Sequence, residues 1–111
     1  QVSQARAAAD NAEMKLDQTR QAAVRQIVRA NNTLDSSLET WQAATALKAA
    51  SQITFDAALE AYRNGVGTIT GVHAAEIQLG EAENATADAY SGALSAAATL
   101  ALATGALGSA P

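Results

Sequence analysis

Tyr62-Arg63-Asn64-Gly65-Val66-Gly67-Thr68-Ile69-Thr70-Gly71-Val72 decides how this chain folds. It holds three of the chain's seven glycines within seven positions, between two long segments without proline. Glycine supplies left-handed and tight-turn conformations that other residues resist, so clustered glycine punctuates a helical pattern strongly. The stretch reads as the reversal of a helical hairpin. Arg63 falls in the last turn before it, where a cation suits the negative end of a helix. Gly65 stands at the expected left-handed cap, and Thr70 is placed to cap the start of the second helix.

Outward from this turn the pattern is helical on both sides. At 111 residues the chain is one domain or part of one. It is 49% hydrophobic, mostly through alanine, with one Trp, one Phe, one Met and two Tyr. So few large side chains suit thin helix–helix seams rather than a thick globular core. Alanine is the best helix former, and the single proline is Pro111. The fold class is therefore all-α: a long antiparallel helical hairpin of coiled-coil type with a glycine-rich tip. Its expected parts are helix 1 over about 2–64, tip turn 65–70, helix 2 over about 71–104 and a tail at 105–111.

From helix 1 into the turn one heptad row runs Ile27, Leu34, Trp41, Lys48, Phe55, Tyr62, Ile69. A companion row runs Val24, Asn31, Leu38, Thr45, Gln52, Leu59, Val66. A sustained seven-residue period implies left-handed supercoiling. The seam weakens between Thr45 and Gln52, where Lys48 lies in it. Asn31-Asn32 is the one plausible break, since asparagine is a weak helix former and a good cap; a break there gives a three-helix bundle instead. Because the rows keep phase across it, the unbroken helix is preferred. In helix 2 the seam is smaller: Val72, Leu79, Ala82, Thr86, Ala89, Ala93, Ala96 and Leu100.

At a rise of ~1.5 Å per residue the two helices span roughly 90 Å and 50 Å. Folded back at Gly67, helix 2 is expected to run out near Asn31, leaving Met14, Leu16 and Val24 without a partner in the chain. Uncovered apolar surface marks an interaction site, which gives an isolated piece a means of self-association.

Several chemistries are weighed and set aside. Net charge is −4, which disfavours nucleic acid as a partner, because phosphate binding needs clustered Lys and Arg. The chain has no cysteine, hence no disulfide framework and no thiolate site. The apolar run 93–107 is shorter than the ~20 residues of a spanning helix. Gly65, Gly67 and Gly71 imitate a phosphate loop only superficially, since they follow a helix rather than a strand. His73 is the sole histidine, with Glu76 one turn on, a spacing typical of a local surface pair. Glu81, Glu83 and Asp88, like Arg20, Arg25 and Arg29, read as solvated faces. No nucleophile, base and acid converge, so no enzyme, metal or cofactor is expected.

From Tyr62-Arg63-Asn64-Gly65 through Gly71-Val72-His73-Ala74-Ala75 to Leu79-Gly80-Glu81-Ala82-Glu83-Asn84, the sequence resembles the periplasmic tip of the TolC-type outer-membrane efflux and secretion channel family. Thr104-Gly105-Ala106-Leu107 is similar to the end of that family's final hairpin. The resemblance is strongest over 57–107, and the first helix matches in length and character. It implies a homotrimer whose helices build a periplasmic α-barrel below an outer-membrane β-barrel, with two such hairpins per protomer. Their tips meet a periplasmic adaptor (membrane fusion) protein linked to an inner-membrane pump. On that resemblance Tyr62 matches a gate tyrosine, and Tyr62, Arg63, Gly65, Val66, Gly67, Thr68 and Gly71 form the tip, gate and adaptor contact. The family's tip aspartates fall on Gly71 and Ala74, and an arginine of some members on Gly67, so a gate here would rest on Tyr62 or on packing. The expected role is a passive conduit segment of a tripartite efflux pump or type I secretion system, a fragment of the C-terminal half of a larger protein. The alternative is a signalling coiled-coil hairpin of chemoreceptor type, which the tip disfavours because it lacks a Glu- and Gln-rich contact pattern. The hairpin of an adaptor, or another helical interaction module, stands third.

Overall fold

The computed structural model describes residues 2–108, with side-chain surroundings for 2–105. Two helices fold back on each other: α1, Val2–Arg63, and α2, Ile69–Gly108. No strand occurs among the described residues. The hairpin measures 95 × 20 × 13 Å. Its long dimension is that of α1 alone, roughly 93 Å at 1.5 Å per residue.

α1 passes through Asn31-Asn32-Thr33 without interruption, which rules out the three-helix alternative. Two asparagines lower helix propensity by only a few tenths of a kcal/mol each. The flanking seam residues Ile27, Ala30 and Leu34 stay on one face and hold the turn helical.

α2 also outlasts its expected end. It continues through Gly105 to Gly108, where a tail from residue 105 is the sequence reading. One glycine inside a helix costs about 1 kcal/mol, too little to stop a run that Ala103 anchors in the seam at 9% exposure. The pairing runs past Asn31, so that Ile27 and Ala23 are also partly covered. From Val2 to Ala22 every residue of α1 is exposed. Met14 and Leu16 are uncovered as expected.

The core is a thin seam of small residues. Of its nine buried apolar side chains, seven are alanine and the others are Val72 and Leu79. On α2 the covered side chains are Val72, Ala75, Leu79, Ala82, Thr86, Ala89, Ala93, Ala96, Leu100 and Ala103, with Gly80 partly covered beside them. They advance by alternating steps of three and four, which is the knobs-into-holes repeat. The expected α2 seam is all present, with Ala75 and Ala103 added.

On α1 one of the two expected rows is displaced over most of its length, with Leu59 alone of its helical members half-buried. Ile27, Leu34, Trp41 and Phe55 do line the seam, but their companions are Ala23, Ala30, Ser37, Ala44, Ser51 and Ala58. The larger residues one position later flank it instead: Val24 is 57% exposed and Leu38 38%. The physical reason lies in α2. Its alanine face lets the two backbones approach closely, and the side of α1 nearest that approach admits only small residues. Size in the sequence pointed to the wrong row.

Candidate functional site

The tip is built from backbone chemistry first. A helix leaves its last carbonyls without intrahelical donors. Here the Gly65 N–H donates to the Tyr62 carbonyl at 3.1 Å and the Val66 N–H to the Ala61 carbonyl at 3.0 Å. Those two bonds, nested around a left-handed residue, are the Schellman closure. Gly65 has φ 79°, as expected of the cap. The Gly67 N–H shares the Ala61 carbonyl at 2.9 Å, which folds the chain back over the end of α1.

Gly67 is required for a different reason. A Cβ built on it would lie 3.0 Å from the Ala61 Cβ and 3.0 Å from the Tyr62 backbone nitrogen. Backbone yields less readily than a flexible side chain, so this close approach favours glycine. The two glycines of Gly65-Val66-Gly67 thus serve conformation and space respectively, and neither cradles a phosphate.

α2 begins two residues earlier than expected, at Ile69, and its cap is Thr68 rather than Thr70. The Thr68 hydroxyl accepts from the Gly71 N–H at 3.1 Å, and the Thr68 carbonyl accepts the first helical bond, from Val72, at 3.2 Å. That is the N-cap arrangement, with the side chain bonded to the third helical residue. Two threonines two positions apart are equivalent candidates in sequence. The Schellman closure fixes where the chain emerges and so selects the first.

The side chains at this end are exposed. Val66 is the apex, 83% exposed, with Tyr62 at 45% and Ile69 at 48% beside it. Ile69, which the heptad count places on the Ile27 row, is uncovered here, because the reversal breaks the phase of that row. Arg63 lies in the last turn of α1 and is exposed. Among the described residues the Tyr62 hydroxyl makes no hydrogen bond, so a phenol is left at the tip free to bond outside the hairpin. Asn64 donates from its side chain to Glu60 at 3.4 Å.

Elsewhere the surface offers little chemistry. His73 and Glu76 meet at 3.7 Å, both side chains well exposed, as the local pair their spacing implies. The acids Glu81, Glu83 and Asp88 and the bases Arg20, Arg25 and Arg29 all face solvent. No cluster of three or more metal-ligating side chains occurs among the described residues. No described helix is long and apolar enough to cross a membrane.

Comparison with known families matches residues 1–106 to the outer membrane efflux protein family. No curated protein and no solved structure matches the chain. The family match spans nearly the whole hairpin, including the glycine-rich reversal, and members of that family are channel proteins that sit in the outer membrane. The chain therefore belongs to the outer membrane efflux protein family and is a component of such a channel.

Proposed function

We propose that this hairpin is part of the periplasmic wall of an outer-membrane channel and that its tip docks a periplasmic adaptor coupled to an inner-membrane pump. The observation that carries the reading is the family match across a chain whose described fold is one 95 Å hairpin with an apolar apex. Such a hairpin has too little buried interior to stand as a globular unit, and it suits a wall of packed helices. The channel is a passive conduit: its wall guides solute, while the energy comes from the partner in the inner membrane. In the whole protein the wall is closed by trimer symmetry, which lets identical edges meet in a ring. Tyr62, Arg63, Gly65, Val66, Gly67, Thr68 and Gly71 form the contact, with Tyr62 offering the hydroxyl that helps hold the aperture shut.

A photo-crosslinking residue at Val66 of the whole protein tests this directly. Capture of a periplasmic adaptor from Val66, and none from a control position at Lys15, is the expected result. Recovery of the protein in the inner membrane, or equal capture from both positions, contradicts it and favours a signalling hairpin.

A further inference from the structure

Of the chain's five asparagines, one precedes glycine: Asn64-Gly65. That order carries a chemistry of its own. A backbone amide can attack the side-chain amide of the residue before it, and glycine, without a Cβ, crowds that attack least. Asn11, Asn31, Asn32 and Asn84 precede alanine, asparagine, threonine and alanine, and all four lie inside helices. Asn64 instead stands in the turn just beyond α1.

The local geometry leaves this pair open to reaction. Asn64 and Gly65 are both exposed. Among the described residues the Asn64 side chain has one hydrogen-bond partner, Glu60, at 3.4 Å. A Cβ built on Gly65 would meet nothing within 4 Å, so the space around the attacking nitrogen is free. That nitrogen donates to the Tyr62 carbonyl at 3.1 Å, and this bond must open before the attack. It belongs to a helix end, where opening costs least. An asparagine inside a helix needs its own stretch of helix to open first.

We propose that Asn64 is a site of spontaneous deamidation, which gives the tip a negative charge with age. The Gly65 nitrogen bonds to Asn64 Cγ and gives up its proton to the side-chain nitrogen, which leaves as ammonia. The cyclic imide then takes up one water. Cleavage at Cγ yields aspartate; cleavage at the main-chain carbonyl yields isoaspartate, which lengthens the backbone by a methylene. Either product sets a carboxylate near Glu60 and at the negative end of α1, where an anion is disfavoured. Isoaspartate also shifts Gly65 and Val66 from the Tyr62 and Ala61 carbonyls that close the helix. The site falls within the contact proposed above, and its bearing on docking rests on that reading; the chemistry does not.

The whole protein that carries this hairpin is incubated at neutral and mildly alkaline pH, then digested with pepsin in acid, which halts the reaction. By mass spectrometry, the peptide carrying Asn64 is expected to gain one mass unit roughly tenfold faster than those carrying Asn31, Asn32 or Asn84. It should resolve into two isomers, one of them a substrate for isoaspartyl methyltransferase. Conversion should be faster at the higher pH, because the attacking amide must lose a proton. Asn64→Gln keeps a neutral amide at the cap and abolishes the change, since glutamine would have to close a larger, slower-forming ring. Asn64 converting no faster than the helical asparagines, or an equal mass gain in the same peptide of Asn64→Gln, overturns the proposal. None of these readouts depends on adaptor binding or on conduction.

Discussion

The Thr86 hydroxyl lies 3.0 Å from the Ala44 carbonyl on the opposite helix and 2.8 Å from the Ala82 carbonyl one turn back on its own. The other helical threonines with side-chain bonds to a preceding turn, such as Thr40 to Ser36 and Thr99 to Ser95, bond locally. Only Thr86 also reaches across the seam among the described residues. An alanine seam gives sliding little resistance, because one small side chain fits a hole much like the next. A directional bond to a fixed carbonyl penalises a slip, so this pair sets the axial register.

Replacing Thr86 by valine removes that bond and keeps the branched shape. The expected loss is about 1 kcal/mol, seen as a fall of a few degrees in the midpoint of a circular-dichroism melt. Thr86→Ser retains the hydroxyl and should lie much nearer the parent. Equal melts for the valine and serine variants would show that the hydroxyl contributes nothing.

The tip glycines should differ in what they tolerate. Gly65→Ala forces a side chain into a left-handed conformation, at a cost of about 1–2 kcal/mol. Gly67→Ala drives a methyl to within 3.0 Å of backbone and should cost at least as much. Gly80→Ala should be neutral or stabilising. Urea titrations of the three variants give the order, and Gly67→Ala matching Gly80→Ala contradicts the close approach seen here.

The cap assignment separates two neighbouring threonines. Thr68→Ala is expected to destabilise by about 1 kcal/mol and Thr68→Ser to rescue most of it. Thr70→Ala should change stability by a few tenths of a kcal/mol at most, since alanine is the better helix former. If Thr70→Ala is the costlier of the two, α2 starts later than described.

In α1 the seam is tested by two leucines four residues apart. Leu34 is half-buried on the seam and Leu38 stands on its flank. Truncating Leu34 to alanine should cost more than truncating Leu38, by about 1 kcal/mol in the isolated hairpin, because more apolar area returns to water. Chemical denaturation of both variants provides the comparison. The opposite order would restore the row built on Val24 and Leu38.

Tyr62→Phe removes one hydroxyl from an exposed ring that has no partner within the described hairpin. Folding should be unaffected, with melts that superimpose on the parent. In the whole channel the expected change is leakage, measured as sensitivity of cells to a large antibiotic or as conductance in planar bilayers. Unchanged leakage removes the gating role from Tyr62.

The hairpin itself was legible in the residues. Alanine abundance, absent internal proline and the cluster Gly65, Gly67, Gly71 are local properties, and helix propensity and turn chemistry act locally. The same holds for the Ile27–Leu34–Trp41 row and for the left-handed Gly65. At the tip, the exposed Val66 and Tyr62 follow from their place in a reversal. The family resemblance carried by Tyr62 and the glycines agrees with the family match, since a turn motif survives in sequence without its surroundings.

Other features needed the second helix in place. Which row accompanies Ile27 depends on how close α2 approaches, and the alanines of α2 choose Ala23 and Ala30 over the larger Val24 and Asn31. Thr68 rather than Thr70 caps α2 because the Schellman closure of α1 sets the exit of the chain. The helix outlasts Gly105 because Ala103 is already seated against α1, and packing outweighs a single glycine's propensity. Thr86 looks like any helical threonine until the Ala44 carbonyl comes within 3.0 Å. Sequence determined the elements and their reversal, because those rest on each residue's own backbone preferences. Tertiary structure decided register, cap and seam, because these depend on the distance between two backbones that no single stretch of chain contains.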